Sequence, residues 1–220
     1  MRVLLSWSSG KDSAWTLRVL RADPSVELAG LLTTVNRDMG RVAMHAVRRT
    51  LLAAQADAAG LPLREVPIPH RCSNADYEAA MAAALDRAKA EGVEAVAFGD
   101  LFLQDIRKYR EEKLAPTGLR PLFPLWGRDT AALAREMIAG GLRARLTCVD
   151  PRQLDPTFAG REFDEALLAE LPASVDPCGE RGEFHTFAYA GPMFSRPVPV
   201  RSGETVEREG FRFADLLDPA

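Results

Sequence analysis

Apolar and polar positions along the first two thirds of the chain follow two alternating periods. Short, nearly continuous apolar runs at Arg2–Ser6 (RVLLS), Val26–Val35, Leu63–Ile68 and Glu94–Phe98 predict strands buried on both faces. Helical spacing fills the intervals. Asp12–Ala22 reads as one helix. Ala43–Ala59 reads as another, with Val47, Leu51, Leu52 and Gln55 along it and Gly60 as its stop. Ser73, with Asp76 three residues on, is an N-cap for a helix that carries Tyr77, Met81, Ala84, Leu85 and Ala88 on one face and ends at Gly92. QDIRKYREEKL is a charged helix, and a short apolar segment follows near Leu119–Leu125. Asp129 caps a helix that stops at Gly140 and Gly141, and LRARLTCV is a further strand. Strands alternating with helices imply a parallel sheet with right-handed crossovers, a Rossmann-like α/β fold with helices on both faces. After Asp150 the texture changes to turn-rich loops and short strands. The expected organisation is a first domain over residues 1–150 and a smaller C-terminal α+β subdomain over 151–220, packed on the edge where the parallel strands end.

Composition narrows the class. The chain has 220 residues, 47% of them apolar and 27% charged, as in a globular protein with a real core. Its net charge of −3 argues against general nucleic-acid binding. No apolar run reaches membrane-spanning length, and the chain enters a strand at once without a signal-like segment, so a cytoplasmic protein with no membrane partner is expected. Cys72, Cys148 and Cys178 are widely spaced with no C-x-x-C, which indicates neither a disulfide framework nor a zinc site. Abundant alanine and arginine suggest a GC-rich, bacterial genome.

The most informative chemistry lies between the first strand and first helix. Ser6, Ser8, Ser9, Gly10, Lys11 and Ser13 crowd one turn. Small residues let backbone N–H groups approach an anion, a helix start adds its positive dipole end, and lysine adds charge. This is a phosphate cradle, although not a Walker P-loop, which needs a second glycine. In a doubly wound sheet ligands sit beyond the carboxyl ends of the strands. That edge also holds Leu32, Thr33 and Thr34 at the end of strand two, and Gly99 and Asp100 after strand four.

A second cluster lies in Asp176–Phe194. Glu180, Glu183, His185 and Thr186 fall within seven positions, among Gly179 and Gly182. If Glu183–Tyr189 is extended, Glu183, His185 and Phe187 share one face. A carboxylate and an imidazole on one face can share a proton or a polar substrate; a polar loop clamped to the core by Phe184 and Phe187 is the other reading.

Together the two motifs, SSGKDS near the start and DPCGERGEFHTFAYAGPMF near the end, resemble the diphthine–ammonia ligase family of PP-loop ATP pyrophosphatases. MHAVRRTLLAAQADAAGLPL, FGDLFLQDIRKYREEKL and PLWGRDTAALAREMIAGGLRARLTCVD extend the resemblance to essentially the whole chain. Ser9 stands where the family usually has glycine, and Arg181 where its GENGEFHT-like pattern has asparagine. The resemblance implies an adenine nucleotide α-hydrolase type of fold, ATP as cofactor with Mg2+, and adenylation of a carboxylate followed by attack of free ammonium. The family's acceptor, diphthine, is a modified histidine of an elongation factor that bacteria do not make. For this chain the acceptor is a small-molecule or protein-borne carboxylate, and a homodimer is admissible. The implied site has Lys11, Asp12, Glu183 and His185 as catalytic residues and Glu180, Glu183, His185 and Thr186 on the acceptor. Nucleotide contacts come from Ser6 to Ser13, Leu32 to Thr34, Gly99 and Asp100. Asp12 is a metal ligand or simply helix N-terminal charge, Asp100 touches ribose or metal or caps a turn, and His45 faces the nucleotide or solvent. Two other classes compete: an RNA-thiolating PP-loop enzyme using the cysteines, and a regulatory nucleotide binder without turnover.

Overall fold

The computed structural model describes residues 1–42 and 47–218. The first sheet contains β1 (Arg2–Ser6), β2 (Glu27–Asn36), β4 (Leu63–Ile68), β5 (Ala95–Ala97) and β6 (Arg120–Leu122), all parallel, in the order β4-β2-β1-β5-β6. Short β3 (Arg41–Val42) pairs antiparallel with Val35 and Asn36 of β2. β4 occupies one side of β2 there, so β3 lies on the side of β1, beyond the point where β1 ends. The order reverses at β1 and β5, which makes the gap past their carboxyl ends the topological switch point.

Helices α1 (Lys11–Ala22), α2 (Arg49–Ala59) and α5 (Thr130–Ala139) pack with Val3, Leu5, Leu31 and Ala97 in one core. Helices α3 (Asn74–Ala90) and α4 (Gln104–Leu114) pack with Leu4, Leu32, Val66 and Val96 in a second core on the opposite face. Successive strand residues feed opposite cores, which is why these strands are apolar without a break. The expected caps are present. Ser73 accepts the Asp76 N–H and Asp129 accepts the Ala132 N–H.

Two sequence expectations change. Of the helix expected over Ala43–Ala59, residues 43–46 lie outside the described residues and the helix is present from Arg49, because Val42 N–H bonds to Val47 O and Arg49 N–H to Gly40 O, which ties residues 47–49 to the β2–β3 hairpin. Strand β7 (Arg143–Val149), grouped from sequence with the first domain, lies instead in a second, antiparallel sheet. Its order is β8-β7-β10-β9, with β8 (Phe184–Ala190), β9 (Arg201–Arg208) and β10 (Phe211–Leu217). A short helix, α6 (Glu165–Glu170), completes this part. The second sheet shares the core of α1 and α2: Leu146, Phe184 and Phe187 are buried with Trp15 and Leu51. No helix among the described residues is long and apolar enough to cross a membrane.

Candidate active site

The turn between β1 and α1 is built as a cradle. Ser9 takes φ +69°, the left-handed region that favours glycine. Its side chain is buried, and its hydroxyl has no hydrogen-bond partner among the described residues. Gly10 caps α1 in extended conformation, and a Cβ there would stand 3.2 Å from Thr186 O. Gly99 lies as close to the first turn of α1, its Cβ position 3.1 Å from Ser13 N. The loop after β5 therefore abuts the helix start, as a switch-point site requires. Ser6, Ser8, Asp12, Thr34, Gly99 and Asp100 keep partial exposure around this gap. Ser8 Oγ and Ser13 Oγ are 3.2 Å apart.

The free edge of β8 closes the cradle from one side. Ala188 N–H donates to Ser9 O at 2.9 Å, and Lys11 N–H donates to Thr186 Oγ1 at 3.1 Å. Gln55 of α2 joins them. Its Nε2 donates to Ser9 O at 2.9 Å and to Ala188 O at 2.5 Å, while its Oε1 accepts the Trp7 indole N–H at 3.0 Å. Gln55 did not emerge as a site residue from sequence; the signal was a fully buried amide on an otherwise apolar helix stripe.

Lys11 does not reach into open space. Its ammonium is 2% exposed, donates to the Cys178 carbonyl and to Asp12 Oδ2 at 2.9 Å, and lies 5.4 Å from the ring centres of both Phe163 and Phe184. Burial alone would lower its affinity for the proton. The charge of Asp12, with Cys178 and Glu180 behind it, reverses this and holds the ammonium above the ordinary lysine value. Burial likewise pushes the Asp12 carboxyl up, with Lys11 restraining it.

The C-terminal motif divides its residues. Glu183 was expected on one face with His185, but the strand begins at Phe184 and Glu183 precedes it. Its carboxylate is 1% exposed and accepts the N–H groups of Asp176 and Arg181, both at 2.9 Å. It braces a turn. Asp176 does the same, accepting from Cys178 N–H and from the Thr130 hydroxyl. Glu180 reaches the loop after β5, where Leu101 N–H donates to it at 2.7 Å. Burial drives the Glu180 carboxyl up to about 7, those N–H bonds hold it back, and charges on Asp12 and Asp100 add to the rise. His185 faces away from the cradle, toward a cavity beside β10. Burial, then the charge on Lys11, lowers it to about 4.

Of the remaining expected residues, Leu32 is 3% exposed in the core under α3, so its side chain does not meet a nucleotide. Thr33 is buried and donates to Trp7 O at 2.8 Å, bracing the loop. Asp100 accepts from Arg110 at 3.4 Å. His45 lies outside the described residues.

The loop fits a polyphosphate: an unpartnered buried hydroxyl and the start of a twelve-residue helix meet at the switch point. A magnesium ion fits more loosely. Three-member groups of metal-ligating side chains are absent among the described residues, but magnesium usually takes one or two carboxylates plus phosphate oxygens and water. Asp12 would hold it.

Comparison with known proteins places the chain in a family. Residues 1–121 match the family model for the diphthamide synthase N-terminal domain, and residues 129–215 match that for the diphthamide synthase C-terminal domain. A diphthine–ammonia ligase of Danio rerio is 32% identical, spanning 98% of this chain and 92% of its own. Those of Homo sapiens and Bos taurus are each 29% identical, spanning 98% of this chain and 89% of theirs. With both of its halves matched and a relative this similar along nearly its whole length, the chain belongs to the diphthamide synthase family.

Proposed function

We propose that this protein is an ATP-dependent ligase that adenylates a carboxylate and transfers the acyl group to free ammonia. The carboxylate oxygen attacks the α-phosphorus of ATP, the bond to the bridging oxygen breaks, and pyrophosphate leaves. Ammonia then attacks the acyl carbon, AMP leaves, and one proton is lost. The observation that carries the reading is Ser9: a non-glycine residue held left-handed with its hydroxyl buried and unpartnered at a helix start. Strain and an orphan donor are tolerated together where a ligand completes the site.

The charge that builds on departing pyrophosphate is met by the Ser9 hydroxyl and the α1 terminus, with the buried Lys11 ammonium adding its positive field from behind the helix start rather than a direct contact. Magnesium, held through Asp12, would supply further neutralisation of phosphate charge. Glu180 titrates near neutrality beside Asp12 and so is suited to accept the proton released as ammonia becomes an amide. This moves to Glu180 a role that spacing alone gave to Glu183. Sulfur transfer finds no support in the buried thiols. Burial pushes Cys148 up to about 12 and Cys178 higher still, so neither is a thiolate at neutral pH.

Pyrophosphate release from ATP, dependent on both ammonium and a carboxylate, is the direct test. Lys11→Met keeps the apolar stem between Phe163 and Phe184 and removes the charge. It should lower turnover by roughly ten- to a thousandfold, the range for one charged or oxyanion-type donor. Turnover at the wild-type level in folded Lys11→Met protein would remove Lys11 from the reaction.

A further inference from the structure

Arg181, which stands where the family pattern has asparagine, sits beside the site. It lies in the tight turn Gly179–Gly182, closed by the Gly182 N–H donating to Gly179 O at 3.1 Å. Two contacts fix the turn. The buried Glu183 carboxylate accepts the Arg181 N–H at 2.9 Å, and a Cβ on Gly179 would stand 2.8 Å from Phe184 O. Both middle residues of the turn meet the loop after β5. Glu180 accepts the Leu101 N–H, and the guanidinium of exposed Arg181 lies over the Phe102 ring, 5.4 Å from its centre.

That loop begins with Gly99, which abuts the first turn of α1, so the Arg181 guanidinium stands at the rim of the switch-point gap. The gap is rich in negative charge. Asp12 and Asp100 border it, both act on Glu180, and a bound triphosphate would add more. The other cations nearby are committed: Lys11 to Asp12 and the Cys178 carbonyl, Arg110 to Asp100, and Arg107 to Glu111. Arg181 is not. Among the described residues it makes no ion pair, and its hydrogen bond comes from its backbone N–H rather than its guanidinium. A guanidinium laid over a ring keeps its N–H fork for a planar anion.

We propose that Arg181 selects an acceptor with a second anionic group, a carboxylate or phosphate besides the carboxylate that is activated, and that its guanidinium grips this second group at the rim of the gap. The proposal rests on the ligase reading of the phosphate loop. Without such a grip a dianionic acceptor would meet only the repulsion of Asp12, Asp100 and the triphosphate on its way in. An asparagine amide at the same turn position offers neutral hydrogen bonds and no charge, so the two residue types sort acceptors by charge. A forked pair at an exposed arginine is worth a factor of roughly five to twenty, between an open surface ion pair and a buried charged hydrogen bond.

The test compares pentanoate, glutarate, 4-phosphonobutyrate and 5-aminopentanoate in ammonium-dependent pyrophosphate release. Calorimetry measures glutarate and pentanoate binding beside α,β-methylene-ATP, which cannot release pyrophosphate. Both are run on the wild type, Arg181→Asn and Arg181→Glu. Arg181 is exposed and holds Glu183 through its backbone N–H, so both variants keep the turn. In the wild type the two dianions should show KM values roughly five- to twentyfold below that of pentanoate. Arg181→Asn should erase this preference and Arg181→Glu should turn it toward 5-aminopentanoate, with the KM for ATP unmoved in both. Equal KM values for pentanoate and the dianions, or a dianion preference that survives Arg181→Asn, overturns the proposal while leaving the ligase intact. A KM for ATP that rises in Arg181→Asn as much as that for glutarate assigns Arg181 to the triphosphate and overturns it too. Glutarate binding that Arg181→Asn removes, without pyrophosphate from any acid, supports the anion grip and overturns the ligase reading instead. Neither binding nor pyrophosphate with any of these acids overturns both.

Discussion

At φ +69° Ser9 holds a backbone conformation that costs an L residue roughly 1–2 kcal/mol, a cost glycine does not incur. Ser9→Gly should therefore raise stability by about 1 kcal/mol, and it should also slow turnover because a buried donor is lost. Calorimetric melting and pyrophosphate release check the two halves, and a fall in melting temperature would show that Ser9 is not strained. Glu183 is expected to behave in the opposite way. Its carboxylate accepts two backbone N–H groups at 1% exposure, so Glu183→Gln should cost about 2–3 kcal/mol in stability, the scale for hydrogen bonds to a charged group. Unchanged urea stability with lost turnover would return Glu183 to the chemistry. His185 has a pH signature. Its value falls from 6.5 when unfolded to about 4 in the fold, through burial and then Lys11. Between those values the unfolded chain binds the extra proton, so its contribution to stability is lost as pH drops from about 6.5 to 4. Glu180 works with the opposite sign, its folded value of about 7 lying above 4.5, so its contribution fades as pH rises. His185→Gln isolates the histidine: the variant should lose less stability than the wild type between pH 7 and pH 5. Parallel pH profiles for the two proteins would sink that assignment.

The elements that hold the site are joined by bonds that cross between them, and β8 is the clearest case. It is an edge strand whose free N–H and C=O groups would otherwise invite another chain; they are taken by Ser9 and Gln55 instead. Gln55→Leu would leave the Trp7 indole N–H and the Ala188 carbonyl without their partner. We expect a loss of about 2–3 kcal/mol from these buried groups and weaker ATP binding, because the cradle loses its brace. ATP titration of the variant at a temperature where it is fully folded would expose an error if affinity were unchanged. This scale also shows what the sequence reveals. Strands β1 and β4 and helices α3, α4 and α5 were legible, because apolar period, caps and stops are local properties. The β2–β3 hairpin was not, since two-residue β3 exists through pairing with residues its own pattern cannot show. The sheet to which β7 belongs was equally hidden: LRARLTCV reads as a strand in either sheet, and only its pairing with β8 and β10 decides. At the site, the phosphate loop and its helix were legible. The inward turn of Lys11, the bracing role of Glu183 and the brace at Gln55 were not, because spacing reports residue type and face but not which buried carbonyl or N–H awaits a partner.

Across the whole molecule the two sheets are fastened at separate points. Lys11 runs from the cradle into the C-terminal segment at Cys178. At the cavity, Arg41 of β3 and Arg48, next to the start of α2, both grip Asp215 of β10, at 2.9 and 2.6 Å. Burial alone would raise the Asp215 carboxyl; the two guanidinium groups outweigh it and hold it at about 2, below its ordinary 3.8. A depressed carboxyl stabilises the fold above its unfolded value, and that contribution is lost as pH falls from about 3.8 toward 2. Asp150, held to about 2 chiefly by Arg152, adds to the same acid window. Asp215→Asn should therefore cost about 1–2 kcal/mol at pH 7, a figure reduced for the solvent that still reaches Arg48. The gap between variant and wild type should then close as both are taken to pH 2.5, where the wild-type carboxyl is itself becoming protonated. Urea midpoints at the two pH values measure this. A gap that persists undiminished at pH 2.5 would mean that Asp215 acts through packing rather than charge, and that the clamp between hairpin and second sheet is not what its geometry indicates.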